Sequence, residues 1–326
     1  MEYEAVIGLE VHAQLRTSSK MFCGCSAAYQ EMEPNTVVCP VCMGMPGVLP
    51  VPNREAVEHV VRTGLALGCT IATQSKFDRK NYPYPDLMKG YQISQHNLPI
   101  ASGGRLVVET SDGTREVGIN RVHLEEDVAK LLHRSDGSGI YSLLDINRSG
   151  VPLMEIVSEP DMRTAEEAYD YLTRLRSILR YVGASTANME EGSFRCDANV
   201  SMRPSGASEF GPKVEIKNMN SFKSVHSALT FEMVRQTEIA RSGGRIVQET
   251  RGWADDRGLT FSQRSKEDAH DYRYFPEPDI PPFSIDPDWV SQVERAMPEL
   301  PAARKARFED GYGPVSYTHL TLPTKR

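Results

Sequence analysis

Residues 5–15 read AVIGLEVHAQL. Strand side chains alternate between faces, so Ala5, Ile7, Leu9, Val11, Ala13 and Leu15 form one apolar row, while Glu4, Gly8, Glu10, His12 and Gln14 fall on the other. Glu10 and His12 therefore project side by side. An isolated Glu-x-His ordinarily reads as a solvated strand face. The sharper reading is a metal or general-base pair, and only the remaining strands decide between them.

The same period-two rule places further carboxylates. In RVHLEEDV, His123, Glu125 and Asp127 share a face opposite Val122, Leu124 and Val128. In FRCDANVSMR, Arg195, Asp197, Asn199, Ser201 and Arg203 oppose Phe194, Cys196, Ala198, Val200 and Met202. In KVEIK, Glu215 sits between Lys213 and Lys217, and PLMEIVSEP adds Glu155 on a weaker alternation. One sheet would then carry an apolar face for helices and a face bearing Glu10, His12, Glu125, Glu155, Asp197 and Glu215. Carboxylates gathered without a cation repel one another and raise their own pKa values, so a divalent metal is the natural compensation. Oxygen-rich ligation with one imidazole suits Mg2+ or Mn2+ better than zinc. The alternative is that these strands are not neighbours and the acids are solvated.

The chain has 326 residues, 40% of them hydrophobic and 25% charged, with a net charge of -7. That is the composition of a soluble globular protein. No run approaches the ~18 apolar residues of a membrane helix, and no signal peptide is expected ahead of the first strand, so a cytoplasmic location is expected. A general basic surface is missing, and any nucleic-acid contact must be local.

Six cysteines are present, and four fall in FCGCSAAYQEMEPNTVVCPVC as a C-x-C at Cys23 and Cys25 and a C-x2-C at Cys39 and Cys42. Two thiolate pairs on turns can converge tetrahedrally on Zn2+, which predicts a structural zinc knuckle over residues 22–43. Cys69 and Cys196 read as small core residues.

Asn53 caps a helix that stops at Gly68, and Thr164 with Glu167 makes a capping box for a helix ending at Gly183. The core stripe expected on the second is Ala168, Tyr169, Leu172, Leu175, Leu179 and Val182. A third helix is expected from Asn220 to Arg241, and Ser-Asp-Gly turns at 111–113 and 135–137 suit hairpins. Strands in runs, interrupted by helices without regular alternation, predict an α+β fold with a mainly antiparallel sheet and helices on one face. FPEPDIPPFSIDPD, from Phe275, reads as a linker to further helices. VSYTHLTLPTKR, from Val315, fits nothing before it and is expected to be a non-native tail resembling a translated sequencing adapter.

KFDRKNYPYPDLMKGYQISQ interleaves Lys76, Arg79, Lys80 and Lys89 with Tyr82, Tyr84 and Tyr91. Cations among aromatics can hold phosphate and stack a base, or simply form a surface loop. Neither a Walker motif nor G-x-G-x-x-G is present, so a nucleotide would be held through metal and basic side chains.

Together IGLEVHAQL, FDRKNYPYPDLMKGYQISQ, HLEEDVAKL, DINRSGVPLMEIVSEPD, GSFRCDANVSMRP, VEIKNMNSF and SQRSKEDAHDYRYFPEPDIPP resemble the GatB/GatE family, the B subunits of tRNA-dependent amidotransferases. The resemblance implies a glutamine-synthetase-like cradle over residues 1–290 and, at 291–314, the beginning of a truncated helical domain. It implies a C–N ligase with glutamine as amido donor. ATP and Mg2+ would serve to phosphorylate the side-chain carboxylate of mischarged Glu-tRNA(Gln) or Asp-tRNA(Asn), after which ammonia attacks. It places Mg2+ on His12, Glu125 and Glu155, with Glu10, Asp197 and Glu215 as a second metal site. Glu10, His12 and Glu125 would be catalytic, and Lys80 and Lys89 are the expected phosphate contacts. No amidase signature is present, so an amidase A subunit and a small C subunit are implied as partners. The rival reading is a noncatalytic, zinc-containing tRNA-binding scaffold, which should avoid an acidic face. A zinc hydrolase is disfavoured because H-E-x-x-H is missing.

Overall fold

The computed structural model of the chain describes residues 2–111, 113–137, 139–265 and 272–313. The expected non-native tail at 315–326 lies outside the described residues, as do residues 266–271. In chain order the elements are β1 (Tyr3–Gln14), α1 (Arg54–Ala66), β2 (Thr70–Ile71), β3 (Gln74–Ser75), β4 (Asp78–Asn81), β5 (Tyr91–Ser94), β6 (Ala101–Thr110) and β7 (Gly113–Glu126). There follow β8 (Lys130–Asp136), β9 (Gly139–Asp145), β10 (Pro152–Ser158), α2 (Ala165–Tyr181), β11 (Phe194–Pro204), β12 (Val214–Met219) and α3 (Phe222–Arg241). The last are β13 (Glu249–Ala254), β14 (Leu259–Ser265), β15 (Phe275–Pro276), β16 (Phe283–Ser284), α4 (Pro287–Arg295) and α5 (Pro301–Tyr312).

Nine strands form one sheet in the order β14-β13-β12-β11-β1-β10-β7-β6-β2. Every neighbouring pair is antiparallel except β12 with β13, which confirms the α+β class. The opening stretch is the central strand, paired with β10 on one side and β11 on the other. Its apolar row is buried: Ala5, Ile7, Leu9, Val11, Ala13 and Leu15 join side chains from α1, α2 and α3 in one core. Each branched side chain in that row contributes about 2 kcal/mol on leaving water, and a one-residue slip would turn the whole row toward solvent.

The caps form as read, with Asn53 accepting from the Glu55 and Ala56 amides and Thr164 from that of Glu167. Glu167 returns its bond to the Arg163 amide at 2.6 Å, one residue before the cap itself. The third helix begins two residues later than expected because Ser221, accepting from the Ser224 amide, is the cap. On α2 the buried stripe contains Tyr171, not the expected Tyr169, which is exposed against Phe222 and His226 of α3. A spacing of three and four residues from Ala168 reaches Tyr171 and Leu172, whereas Tyr169 is turned ~100° away.

The proline-rich stretch is not a free linker. Phe275 and Pro276 pair with Arg79 and Asp78, and Phe283 and Ser284 with Ser75 and Gln74. Ile280 and Ile285 are buried, and buried Glu277 takes the Arg79 guanidinium on both oxygens at 2.7 and 2.8 Å. Prolines here supply fixed turns between side chains that anchor it. Helix α4 then continues onto α1, with Arg54 over the Trp289 ring at 5.6 Å and Val293 buried, while α5 buries no residue.

His59 on α1 is buried; its Nε2 lies 2.9 Å from the Arg16 carbonyl, and its Nδ1 has no partner. Burial holds its pKa below the ordinary 6.5. The unfolded chain therefore takes up a proton first, so this contribution is complete above that value and is lost as pH falls through it. Urea titrations of wild type and His59→Gln should show a stability difference that shrinks as pH drops from about 7.5 to about 5.5, by at most ~1.4 kcal/mol per unit; a pH-independent difference would contradict this.

Candidate active site

Register converts the alternation of single strands into rows across the sheet. His12 stands opposite Glu155 on β10 and opposite Arg195 on β11, and Glu155 stands opposite His123 on β7. The adjacent row pairs Glu10 with Asp197, and beyond it Asn199 faces Glu215 on β12. This polar face is the floor of a cleft of about 490 Å³. A second sheet, β15-β4-β5, supplies Lys80 and Gln92 to its wall, with Tyr82, Tyr272 and Tyr274 beside them.

The expected first cluster is assembled. His12 Nε2 lies 3.4 Å from Glu125 Oε1 and 3.4 Å from Glu155 Oε2, and one ligand atom from each lies within 4.8 Å of the others, a group that could hold a metal ion. Burial drives the His12 pKa down, but Glu155 and Glu125 overcome it and raise it to about 9. Burial pushes Glu155 up, and His123 and His12 outweigh that, holding it well below the usual range. His123 Nε2 reaches Glu155 Oε2 at 3.3 Å, and Ser94 Oγ donates to Glu125 Oε2 at 3.3 Å. The His12 imidazole thus carries positive charge between the two carboxylates.

Lys80 lines the cleft, its Nζ 4.8 Å from the Tyr272 ring centre and 5.8 Å from that of Tyr82. Burial opposes its charge, yet Glu125 and Glu155 keep the ammonium above lysine's ordinary range. Lys89, the other expected phosphate contact, is not among the side chains lining this cleft. It pairs at 2.6 Å with Glu126, whose side chain points away from Glu125, on the side of the sheet facing the cysteine loop. Gly44, at φ 66°, lets that loop come close, since a Cβ there would meet Lys89 Cγ at 2.6 Å.

Glu10, Asp197 and Glu215 line the cleft but do not join the His12 group. Asn199 Nδ2 donates to Glu10 Oε1 at 2.8 Å, and Thr250 Oγ1 donates to Glu215 Oε2 at 2.9 Å. The Lys217 ammonium contacts Asp197 Oδ2 and lies 3.1 Å from Glu215 Oε1. Arg195, Arg121 and His123 also line the cleft. The alternation had put Arg195 and His123 on this face without giving either a role.

Beside Arg195, buried Asp127 accepts from the guanidinium at 3.0 and 3.1 Å and from Gln14 Nε2 at 2.7 Å. Burial opposes its charge, but Arg195 and Arg148 hold the carboxyl at about 2. Arg195, which lines the cleft, is thereby fixed by a bidentate contact.

The cysteine loop lies between β1 and α1. Sulfurs of Cys23, Cys25, Cys39 and Cys42 lie within 4.8 Å of one another, a second group that could hold a metal ion. The Cys23 thiol, against burial, holds Cys42 at about 4, whereas burial takes Cys25 up to about 11. Lys20 Nζ lies 3.6 Å from Cys42 Sγ, a cation beside the Cys42 thiolate. Cys69 and Cys196 are buried elsewhere, as expected.

The structure defines an α+β protein with an oxygen-rich, metal-capable cleft on a mainly antiparallel sheet and a separate four-cysteine group. Residues 5–291 match the GatB/GatE catalytic domain, and the chain belongs to the GatB/GatE family. Over its full length it is 63% identical to the B subunit of the aspartyl/glutamyl-tRNA(Asn/Gln) amidotransferase of Dehalococcoides mccartyi, covering 66% of that protein. It is 56% identical to the protein of the same name from Carboxydothermus hydrogenoformans, covering 68% of it. It is 60% identical, over 96% of the chain, to that of Thermomicrobium roseum, of which 65% is covered. The chain thus spans about two thirds of the length of the curated relatives it matches.

Asp127→Asn leaves Arg195 with a neutral amide where a carboxylate stood, and should cost about 2 kcal/mol of stability, on the low side for a broken buried pair because Arg195 is partly exposed. Chemical denaturation monitored by circular dichroism measures it; an unchanged midpoint would show that the pair contributes nothing.

Proposed function

We propose that the chain is the catalytic part of a tRNA-dependent amidotransferase B subunit acting on Glu-tRNA(Gln), Asp-tRNA(Asn) or both. The observation that carries this reading is the His12–Glu125–Glu155 cluster at the floor of a cleft walled by Lys80 and Arg195. Two carboxylates and one neutral imidazole fit Mg2+, a hard ion that prefers oxygen and keeps several waters. Bound there, Mg2+ would neutralise charge on the ATP phosphates.

A carboxylate is a poor acceptor for ammonia because oxide would have to leave. In this reading a side-chain carboxylate oxygen of the charged tRNA attacks the γ-phosphorus and ADP departs. Ammonia then attacks the acyl carbon, and phosphate leaves with the oxygen, giving the amide. His12, Glu125 and Glu155 would hold the metal. Lys80 and Arg195 face the phosphate and acyl oxygens as fixed cations, so charge developing in transfer meets dipoles and charges already in place. Glu10 borders the acyl end.

Ammonia comes from a glutamine-hydrolysing A subunit held with a small C subunit, because none of the six cysteines is set up as a nucleophile: four lie in the metal-capable group and two are buried. The four-sulfur group closes a coordination sphere and suits zinc in a structural role. Residues 1–290 form the glutamine-synthetase-like cradle and α4 with α5 begin a helical segment that helps hold tRNA. No helix among the described residues is long and apolar enough to cross a membrane, in keeping with work in the cytoplasm.

A full-length version with its partner subunits, given ATP, Mg2+, ammonium and mischarged tRNA, should form amide, and Glu125→Gln should reduce the rate about a hundredfold or more. Amide formation untouched by Glu125→Gln would remove the kinase assignment. Elemental analysis should return one zinc per chain, lost in Cys42→Ser, which should lower Tm by about 5 °C or more while leaving ammonia-dependent activity of the folded fraction in place.

A further inference from the structure

A second divalent ion on Glu10, Asp197 and Glu215 is what the family resemblance implies, and the residues present do not fit it. Hard cations need carboxylate oxygens to converge on one point at ~2.0–2.6 Å. Here Asp197 Oδ2 and Glu215 Oε1 converge on the Lys217 ammonium. The remaining oxygens named above, Glu215 Oε2 and Glu10 Oε1, accept from Thr250 and Asn199. Lys217 is no chance surface contact. It follows Glu215 by two residues on β12, so the pleat presents both on one face, and its side chain is two thirds buried.

We infer that Lys217 takes the place of a second metal: the cleft holds a single divalent ion at His12, Glu125 and Glu155, and the Lys217 ammonium is the resident cation of the Glu10–Asp197–Glu215 side. An ammonium has three donors, and with two spent on Asp197 and Glu215 the third is available to a phosphate or acyl oxygen. That last role rests on the proposed phosphoryl transfer, whereas the number of ions does not.

Mn2+ serves as the probe, counted by the electron paramagnetic resonance of the free ion with the full chain titrated after the cysteine site is loaded with zinc. Wild type should bind one Mn2+, lost in His12→Ala, and Lys217→Arg should also bind one. Lys217→Met, which keeps the aliphatic stem and removes the charge, should gain one ion over wild type. Two Mn2+ per wild-type chain would overturn the inference, as would no gain in Lys217→Met. If Lys217→Met does not fold, the wild-type and Lys217→Arg counts decide, and two ions in either overturn it. A wild-type count of zero would remove the single ion at the His12 cluster and overturn the inference. In the partnered enzyme, Lys217→Met should raise the KM for ATP about tenfold or more, with Lys217→Arg close to wild type; equal values would remove the phosphate contact.

Discussion

Strand β1 is held on both sides, and its register against β10 and β11 is the constraint on which the rest depends. It sets Glu155 and Arg195 on either side of His12 and Asp197 beside Glu10. That register is enforced from the opposite face, where Ile7, Leu9 and Val11 are wholly or almost wholly buried under the helices. A shift by one residue would expose that row and dismantle the site in the same step, so stability and chemistry share one geometric requirement.

The cost of this arrangement is electrostatic. Carboxylates brought together at low effective dielectric repel strongly, and the fold answers in distinct ways. Around Glu125 and Glu155 the partner is an imidazole, His12, at 3.4 Å from each. Around Asp197 and Glu215 it is permanent, a lysine on the same strand as Glu215. Asp127 has arginines. An acidic face therefore divides into a part that could hold a metal ion and a part paired with a lysine, a division invisible to residue type alone.

Much was legible in the residues. The strict alternation in GLEVH, HLEED and FRCDANVS put the right side chains on the polar face, Asn53 and Thr164 marked helix starts, and the cysteine spacing marked the four-sulfur group. Other placements were not legible, for identifiable reasons. Lys89 follows the aromatic-rich stretch in sequence, but the turn ending at Gly90 leaves it against Glu126. Proline content suggested a linker, yet Ile280, Ile285 and Glu277 anchor that stretch by contacts with residues some 200 positions away. Lys217 was visible beside Glu215, but nothing local showed that Asp197 would complete its coordination.

By itself the sequence determined which side chains share a face of each strand and where helices start, because those follow from backbone geometry over a few residues. Only the tertiary structure decided which faces meet. His12 lies more than a hundred residues from Glu125 and Glu155, the three stand on three strands, and the order β1-β10-β7 that joins them is a product of long-range pairing and of the helices that cover the other face. Charge on a single strand is a local property; the sharing of charge among strands is not.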